Sequence, residues 1–307
     1  MPVKRTAVIV CVLSAFFFLS CQTGPKIQYM FTEDTGNIPL NEGAAVYIIA
    51  DAVKGKPILE TISIDGMNNK NIRQLLDKTK TVSAGIYKTD TNPRFQVYAS
   101  GNYPSFRANL ALGTSRYWKK VRSGKNGTQY WYSRKDGISV ALNSGHAYAM
   151  TDENGSHLYP VAAAGGTETP EGFWEFIHGS VIACWLENPG PVLNQIIAEM
   201  GIPIEIPAQR IFLSLFPLSD TVDSMQQYEA LLRIQFSGPT QARGIAMLMT
   251  LAGAFISPEN GTESGMEIMA AVLFANPPVQ DGNNLDIKTG VLGLREISLL
   301  FNIFSLQ

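Results

Sequence analysis

The residues able to do chemistry are few and scattered. His146, His157 and His178 are spaced for neither an HExxH motif nor a paired metal-ligand pattern. The sequence holds no CxxC, no P-loop and no GxSxG elbow, and Gly165-Gly166-Thr167 lacks the Lys-Ser/Thr that would make it a phosphate cradle. Asp51, Asp65, Glu175, Glu187 and Glu229 are spread so that nothing pairs two carboxylates for acid–base work. Cys184 lies among Val181, Ile182, Ala183, Trp185 and Leu186, where a thiol packs as a small hydrophobe. A nucleophilic thiol would want a basic neighbour, and the six residues to His178 span about 20 Å along a strand. The expectation is therefore no catalytic residue, no metal, no cofactor and no enzymatic activity. Cys21 is different: it ends an apolar run and precedes a polar Gln-Thr-Gly-Pro stretch, so its sulfur is placed for modification rather than packing.

Phe18-Leu19-Ser20-Cys21 closes a segment that begins with Lys4 and Arg5. A basic start, a short apolar stretch and a small residue before the cut are the parts of an export signal. From Thr6 to Ser20 the run covers 15 residues, short against the roughly 20 needed to cross a bilayer, which disfavours an uncleaved anchor. A plain secretory signal would end in a small-x-small site, and Phe18 does not fit one. The arrangement resembles a bacterial lipoprotein signal peptide in the loose form found in spirochaetes, with Phe18 where Leu is usual. The resemblance implies cleavage before Cys21, lipid on its sulfur and acyl chains such as palmitate holding the mature N-terminus in a bilayer. Gln22 in place of Asp removes the inner-membrane retention signal of enteric lipoproteins, which points to the outer membrane with the body facing the periplasm.

Loss of residues 1–20 removes Lys4 and Arg5 and takes the net charge from −2 to −4. That balance gives no electrostatic case for nucleic acid as a partner. Charged residues are 16% of the chain, against about a quarter in ordinary soluble domains, so some surface is expected not to face water. Cys184 is then the one thiol left unmodified, and no intramolecular disulfide can form.

The pattern along the chain predicts an α+β fold of two similar halves, each an antiparallel sheet with helices packed on one face. Residues 21–43 read as the lipidated tether, 44–159 as the first repeat, 160–172 as a Pro/Gly/Ala linker and 173–307 as the second repeat with an apolar C-terminal segment. Asp136-Gly137 between two alternating runs predicts a hairpin. The repeat shows in Arg94-Phe95-Gln96-Val97 leading through Ser100-Gly101 to Pro104, beside Arg233-Ile234-Gln235-Phe236 leading through Ser237-Gly238 to Pro239.

Two predicted helices carry the candidate contact residues. Over Pro104–Val121 the spacing puts Phe106, Leu110, Tyr117 and Val121 near one face, flanked by Trp118, with Arg107, Arg116, Lys119, Lys120 and Arg122 supplying positive charge. Such a helix suits a bilayer surface or an anionic headgroup, and equally an ordinary helix lying basic side out on a sheet. The stretch Gly244–Ile256, with Met247, Met249 and Phe255, is apolar all round. A helix of that kind is buried in protein, lines a greasy ligand cavity or dips into one leaflet. With the apolar runs Ile268–Ala275 and Ile297–Leu306, the chain is similar in architecture to spirochaetal lipoproteins that sit beneath the outer membrane and press amphipathic helices into it. The resemblance implies membrane lipid as partner through Cys21, and a body that associates with membrane or binds a lipid-like ligand. The alternative is a structural lipoprotein that binds an envelope protein.

Overall fold

Alternation decides the strands. In Arg94–Gly101 (RFQVYASG), Phe95, Val97 and Ala99 fall on one side and Gln96, Tyr98 and Ser100 on the other, the two-residue period of an extended chain. The structure is a computed structural model and describes residues 37–61, 73, 75–88, 94–123, 128–143, 145–151, 166–191, 194, 205–219, 226–255, 272 and 275–298. It divides after Trp174 into two compact units. The architecture is mostly antiparallel sheet with few helices.

The first unit contains β1 (Asn37–Ile38), β2 (Val46–Asp51), α1 (Lys56–Thr61), β3 (Thr79–Tyr87), β4 (Arg94–Gly101), α2 (Ser105–Thr114), β5 (Trp118–Ser123), β6 (Thr128–Ser133), β7 (Ile138–Asn143), β8 (His146–Met150) and β9 (Thr167–Glu168). Its sheet runs in the order β2-β3-β4-β8-β7-β6-β5, every neighbouring pair antiparallel. The register Val97↔Ala149 and Ala149↔Val140 carries one apolar face across three strands. Together with Trp131, Leu142 and Ala147, that face packs under Ala108 and Leu112 of α2. The predicted Asp-Gly hairpin is present between β6 and β7: Gly137 takes φ +67, and the Ser133 hydroxyl donates to Asp136 Oδ2 at 2.6 Å.

The helix predicted over Pro104–Val121 stops at Thr114. Gly113-Thr114-Ser115 are weak helix formers, and Ser115 turns extended (ψ 130) while its hydroxyl accepts the Tyr117 amide at 3.3 Å. The aromatic and β-branched residues that follow pair better with β6 than they would wind on, in the register Lys119↔Tyr132, Lys120↔Trp131, Val121↔Tyr130. Trp118, Lys119 and Lys120 therefore stand on an edge strand. The tether read to residue 43 is also shorter than expected, since Ile38 and Leu40 are fully buried. The linker read over 160–172 contains β9, which pairs with β1, and Thr167 Oγ1 donates to the Leu40 carbonyl at 2.6 Å.

Farther along the chain come α3 (Phe173–Ile177), β10 (Ile182–Glu187), β11 (Ala208–Pro217), β12 (Tyr228–Phe236), α4 (Pro239–Phe255), β13 (Val279–Asp281) and β14 (Asn284–Leu292). Strands of the second unit run β10-β11-β12-β14-β13, again antiparallel. Ile211, Ile234, Phe236, Leu285 and Ile287 pack under Ala242 and Ile245 of α4. A second surface is charged: Arg233 grips Asp286 through two 2.7 Å bonds, Arg210 grips Glu187 at 2.9 and 3.1 Å, and Arg233 lies 5.2 Å from the Phe176 ring. These are planar, two-pronged pairings that only arginine makes. The predicted helix Pro191–Met200, most of Ile268–Ala275 and the end of the chain lie outside the described residues.

Leu112 is buried against Trp131 and Ile138, whereas Leu110, two residues away on the opposite side of the helix, is exposed. Leu112→Ala is expected to lower unfolding stability by about 3 kcal/mol, and Leu110→Ala to change it by less than about 0.5 kcal/mol, both read by urea denaturation.

Candidate functional site

Two buried residues, two hydrogen bonds and a glycine fix the rotation of α2. Ala108 and Leu112 face the sheet, Trp131 Nε1 donates to Asn109 Oδ1 at 2.6 Å, and Asn109 Nδ2 donates to the Ser105 carbonyl at 2.8 Å. A Cβ at Gly113 would stand 3.2 Å from the Trp131 ring, so the helix can approach this closely because residue 113 has none. With that side buried, Phe106 and Leu110, one turn apart, face outward at 80% and 58% exposure. The residues that chemistry would send inward are thus on the outside.

Beside α2 runs the basic edge of the sheet. Tyr117, 49% exposed, lies between two cations: the Arg116 guanidinium is 4.9 Å and the Lys135 ammonium 5.6 Å from its ring centre. Lys120 Nζ stands 5.8 Å from the Trp131 ring, on the side of the sheet that carries α2, and Lys119 pairs with Tyr132 on the other. Trp118 is half-buried and packs against the core under α2, unlike its exposed neighbours Tyr117 and Lys119.

In the second unit α4 repeats the outward placement without the charge. Ala242, Ile245, Ala246 and Met249 turn to the core, while Met247, Leu248 and Leu251 are exposed, Met247 at 62% and Leu251 at 57%. Met247 and Met249 therefore lie on opposite sides of the helix and do not line one cavity together. Phe255 is the last residue of α4, and its side chain lies outside the described residues, as does Cys21.

On the polar face of the first unit's sheet a histidine and two tyrosines gather. Tyr98 pairs with Ser83 and Tyr148, and its hydroxyl meets His146 Nδ1 at 2.7 Å with the rings stacked. Burial, then the neighbouring Tyr148, pushes the Tyr98 phenol up, and burial lowers the pKa of His146. With burial disfavouring both the phenolate and the imidazolium, the pair is held as a neutral hydrogen-bonded stack. Cys184 is half-buried on β10, and burial pushes its thiol up to about 12, away from a reactive thiolate. Among the described residues no group of His, Cys, Asp and Glu could hold a metal ion, and no helix is long and apolar enough to cross a membrane. The Tyr–His seam was missed in the sequence; its only signal was the Ser/Thr/Gln/Tyr alternation opposite Phe95, Val97 and Ala99.

Comparison with known proteins gives one family. The family model for the outer membrane-associated lipoprotein TP0453 matches residues 39–263. Solved structures of TP0453 are similar in fold. Crystal form III is 16% identical with a TM-score of 0.58, over 90% of this chain and 99% of that one. Crystal form I is 15% identical with a TM-score of 0.58, over 90% and 98% of the two chains. Crystal form IV is 15% identical with a TM-score of 0.57, over 87% and 95%. No curated protein matches the chain.

His146 supplies a pH test. Its folded pKa is lowered, so the fold disfavours the charged ring. The stability it contributes is present above the unfolded value near 6.5 and is lost as pH falls through that value toward the lower folded one. Thermal unfolding is expected to shift to lower temperature between about pH 7.5 and about pH 5, and His146→Gln is expected to flatten that dependence.

Proposed function

Because the chain belongs to the family of the outer membrane-associated lipoprotein TP0453, a bacterial envelope lipoprotein family, we propose that its folded body also touches the membrane, through the outward faces of α2 and α4. The observation that carries this reading is the exposure of Phe106, Leu110, Met247 and Leu251 on helices whose other sides are already buried in the sheets. Each phenyl or leucyl group left in water forgoes roughly 2 kcal/mol that burial would supply, and a lipid leaflet supplies it without a shaped pocket. In this reading Cys21 holds the lipid anchor, the body faces the periplasm, and the protein catalyses nothing. The exposed, convex placement of Met247 favours a membrane surface over an enclosed lipid-like ligand. The strand-to-helix successions β4–α2 and β12–α4, with their matching Arg-x-Gln and Ser-Gly elements, support the reading of a diverged duplication in which each unit carries one such helix.

Liposome flotation of residues 22–307, made without the lipid cysteine, tests the reading. The wild-type body is expected to float. Phe106→Glu combined with Met247→Glu is expected to reduce the vesicle-bound fraction about tenfold or more. A wild-type body that stays in solution would sink the membrane reading and leave the binding of an envelope protein by the same two faces.

A further inference from the structure

We infer that the edge hairpin of the first unit is a docking surface for anionic phospholipid, so that this unit reads headgroup charge while α4 of the second unit does not. The inference rests on the membrane reading above and adds a lipid class to it. Residues 104–136 hold eight Lys and Arg against a single acid, Asp136, in a chain whose net charge is −2. The rest of the chain therefore carries −9, and the positive charge is concentrated in about a tenth of the sequence. The carboxylate of that one acid accepts the Ser133 hydroxyl, and its single charge leaves a surplus of seven positive charges over the stretch. Among the described residues the ion pairs join Lys56, Arg73, Arg210, Arg233 and Lys288 to acids, and none involves Arg116, Lys119, Lys120, Arg122, Arg134 or Lys135.

Lysines on an edge strand also guard it against pairing with another chain, which accounts for Lys119, Lys120 and Arg122 on β5. It does not account for the cations at the strand's end. Arg116, Arg134 and Lys135 lie outside the pairing ladder, and Arg116 and Lys135 flank an exposed tyrosine, with the Arg116 guanidinium donating to the Tyr117 hydroxyl at 2.6 Å. Cations around an amphipathic ring, next to the outward Phe106 and Leu110 of a helix that packs on the same strand, present charge and apolar surface side by side. A bilayer offers phosphates and acyl chains in that juxtaposition, and a soluble polyanion offers only the phosphates. The face of α4 has Arg243 as its only cation between Pro239 and Phe255, so its attachment is not expected to depend on headgroup charge.

The test is hydrogen exchange on the full chain, expressed in a host that acylates it and reconstituted in vesicles of phosphatidylcholine alone or with phosphatidylglycerol. Exchange in 116–123 and 129–135 is expected to be about fivefold slower or more on the phosphatidylglycerol vesicles, the worth of a single cation near an anionic surface. The difference should vanish near 1 M salt, where the screening length falls to about 3 Å. It should also vanish in Arg116→Gln/Arg134→Gln/Lys135→Gln, a neutralisation on exposed positions, with exchange across β7 and β8 unchanged as evidence of an intact fold. Equal exchange on both vesicles, or a difference that survives salt, would overturn the inference. So would equal slowing by heparin in solution, which would mark a soluble polyanion as the ligand. Protection of α2 and α4 on both vesicles with a hairpin blind to composition would remove the charge inference alone. Absence of protection in either helix on either vesicle would remove the membrane reading beneath it.

Discussion

A ten-residue helix laid on a sheet can bury one stripe of side chains, and in α2 that stripe is fixed by Ala108, Leu112 and the Trp131–Asn109 bond. Everything at the surface of the first unit follows from this choice. Two small or branched residues and an amide take the inner side, so the bulkiest apolar residue of the helix, Phe106, is left outside. Rolling the helix to hide Phe106 would break the indole bond, bury Arg107 and bring a side chain other than glycine against Trp131. The outward phenyl is therefore held by the core rather than tolerated by it. In α4 the same result comes by simpler means, because Ala242 and Ile245 suffice to dock the helix and nearly every other side chain is apolar.

The strands were largely legible in the amino-acid sequence and the helix faces were not. Period-two alternation places β4, β6, β7 and β12 within a residue or so of their observed bounds, and Asp136-Gly137 gives the hairpin, because both signals are local. The segment Arg116–Val121 was misread because its aromatic and basic residues also fit a helical period. What decided it was the partner strand Thr128–Ser133, a contact that periodicity cannot contain. In α4 the sequence shows apolar residues on every side, so Met247 and Met249 are equivalent until the sheet selects one of them. The Arg-x-Gln present in both units misleads in a related way. Gln96 is buried and accepts the Asn41 amide and the Tyr87 hydroxyl, whereas Gln235 accepts Arg210, so alike letters serve different neighbours.

The two units also solve differently the problem of a sheet's second face. The first lines it with hydroxyl groups and tyrosines that satisfy one another, as in Thr81 with Ser100 at 2.5 Å and Tyr98 with His146. The second uses two-pronged Arg–carboxylate pairs across neighbouring strands. Tyrosine keeps such a face apolar in bulk and polar at its tips, which lets it be buried without charge. Ion pairs at partly exposed positions contribute less to stability and more to register, since each fixes which residue stands opposite which.

The pinned start of the fold has a mechanical consequence. Ile38 and Leu40 are locked under β9, so in the proposed lipid-anchored form no more than the 16 residues between Cys21 and Ile38 can separate the lipid from the body. Fully stretched, that is at most about 60 Å. A body confined to such a volume meets its bilayer at an effective concentration on the order of millimolar. On the proposed reading, faces too weak to capture a membrane from solution would then stay seated on it most of the time and still lift away, so that attachment of the body would be a reversible posture of a moored protein.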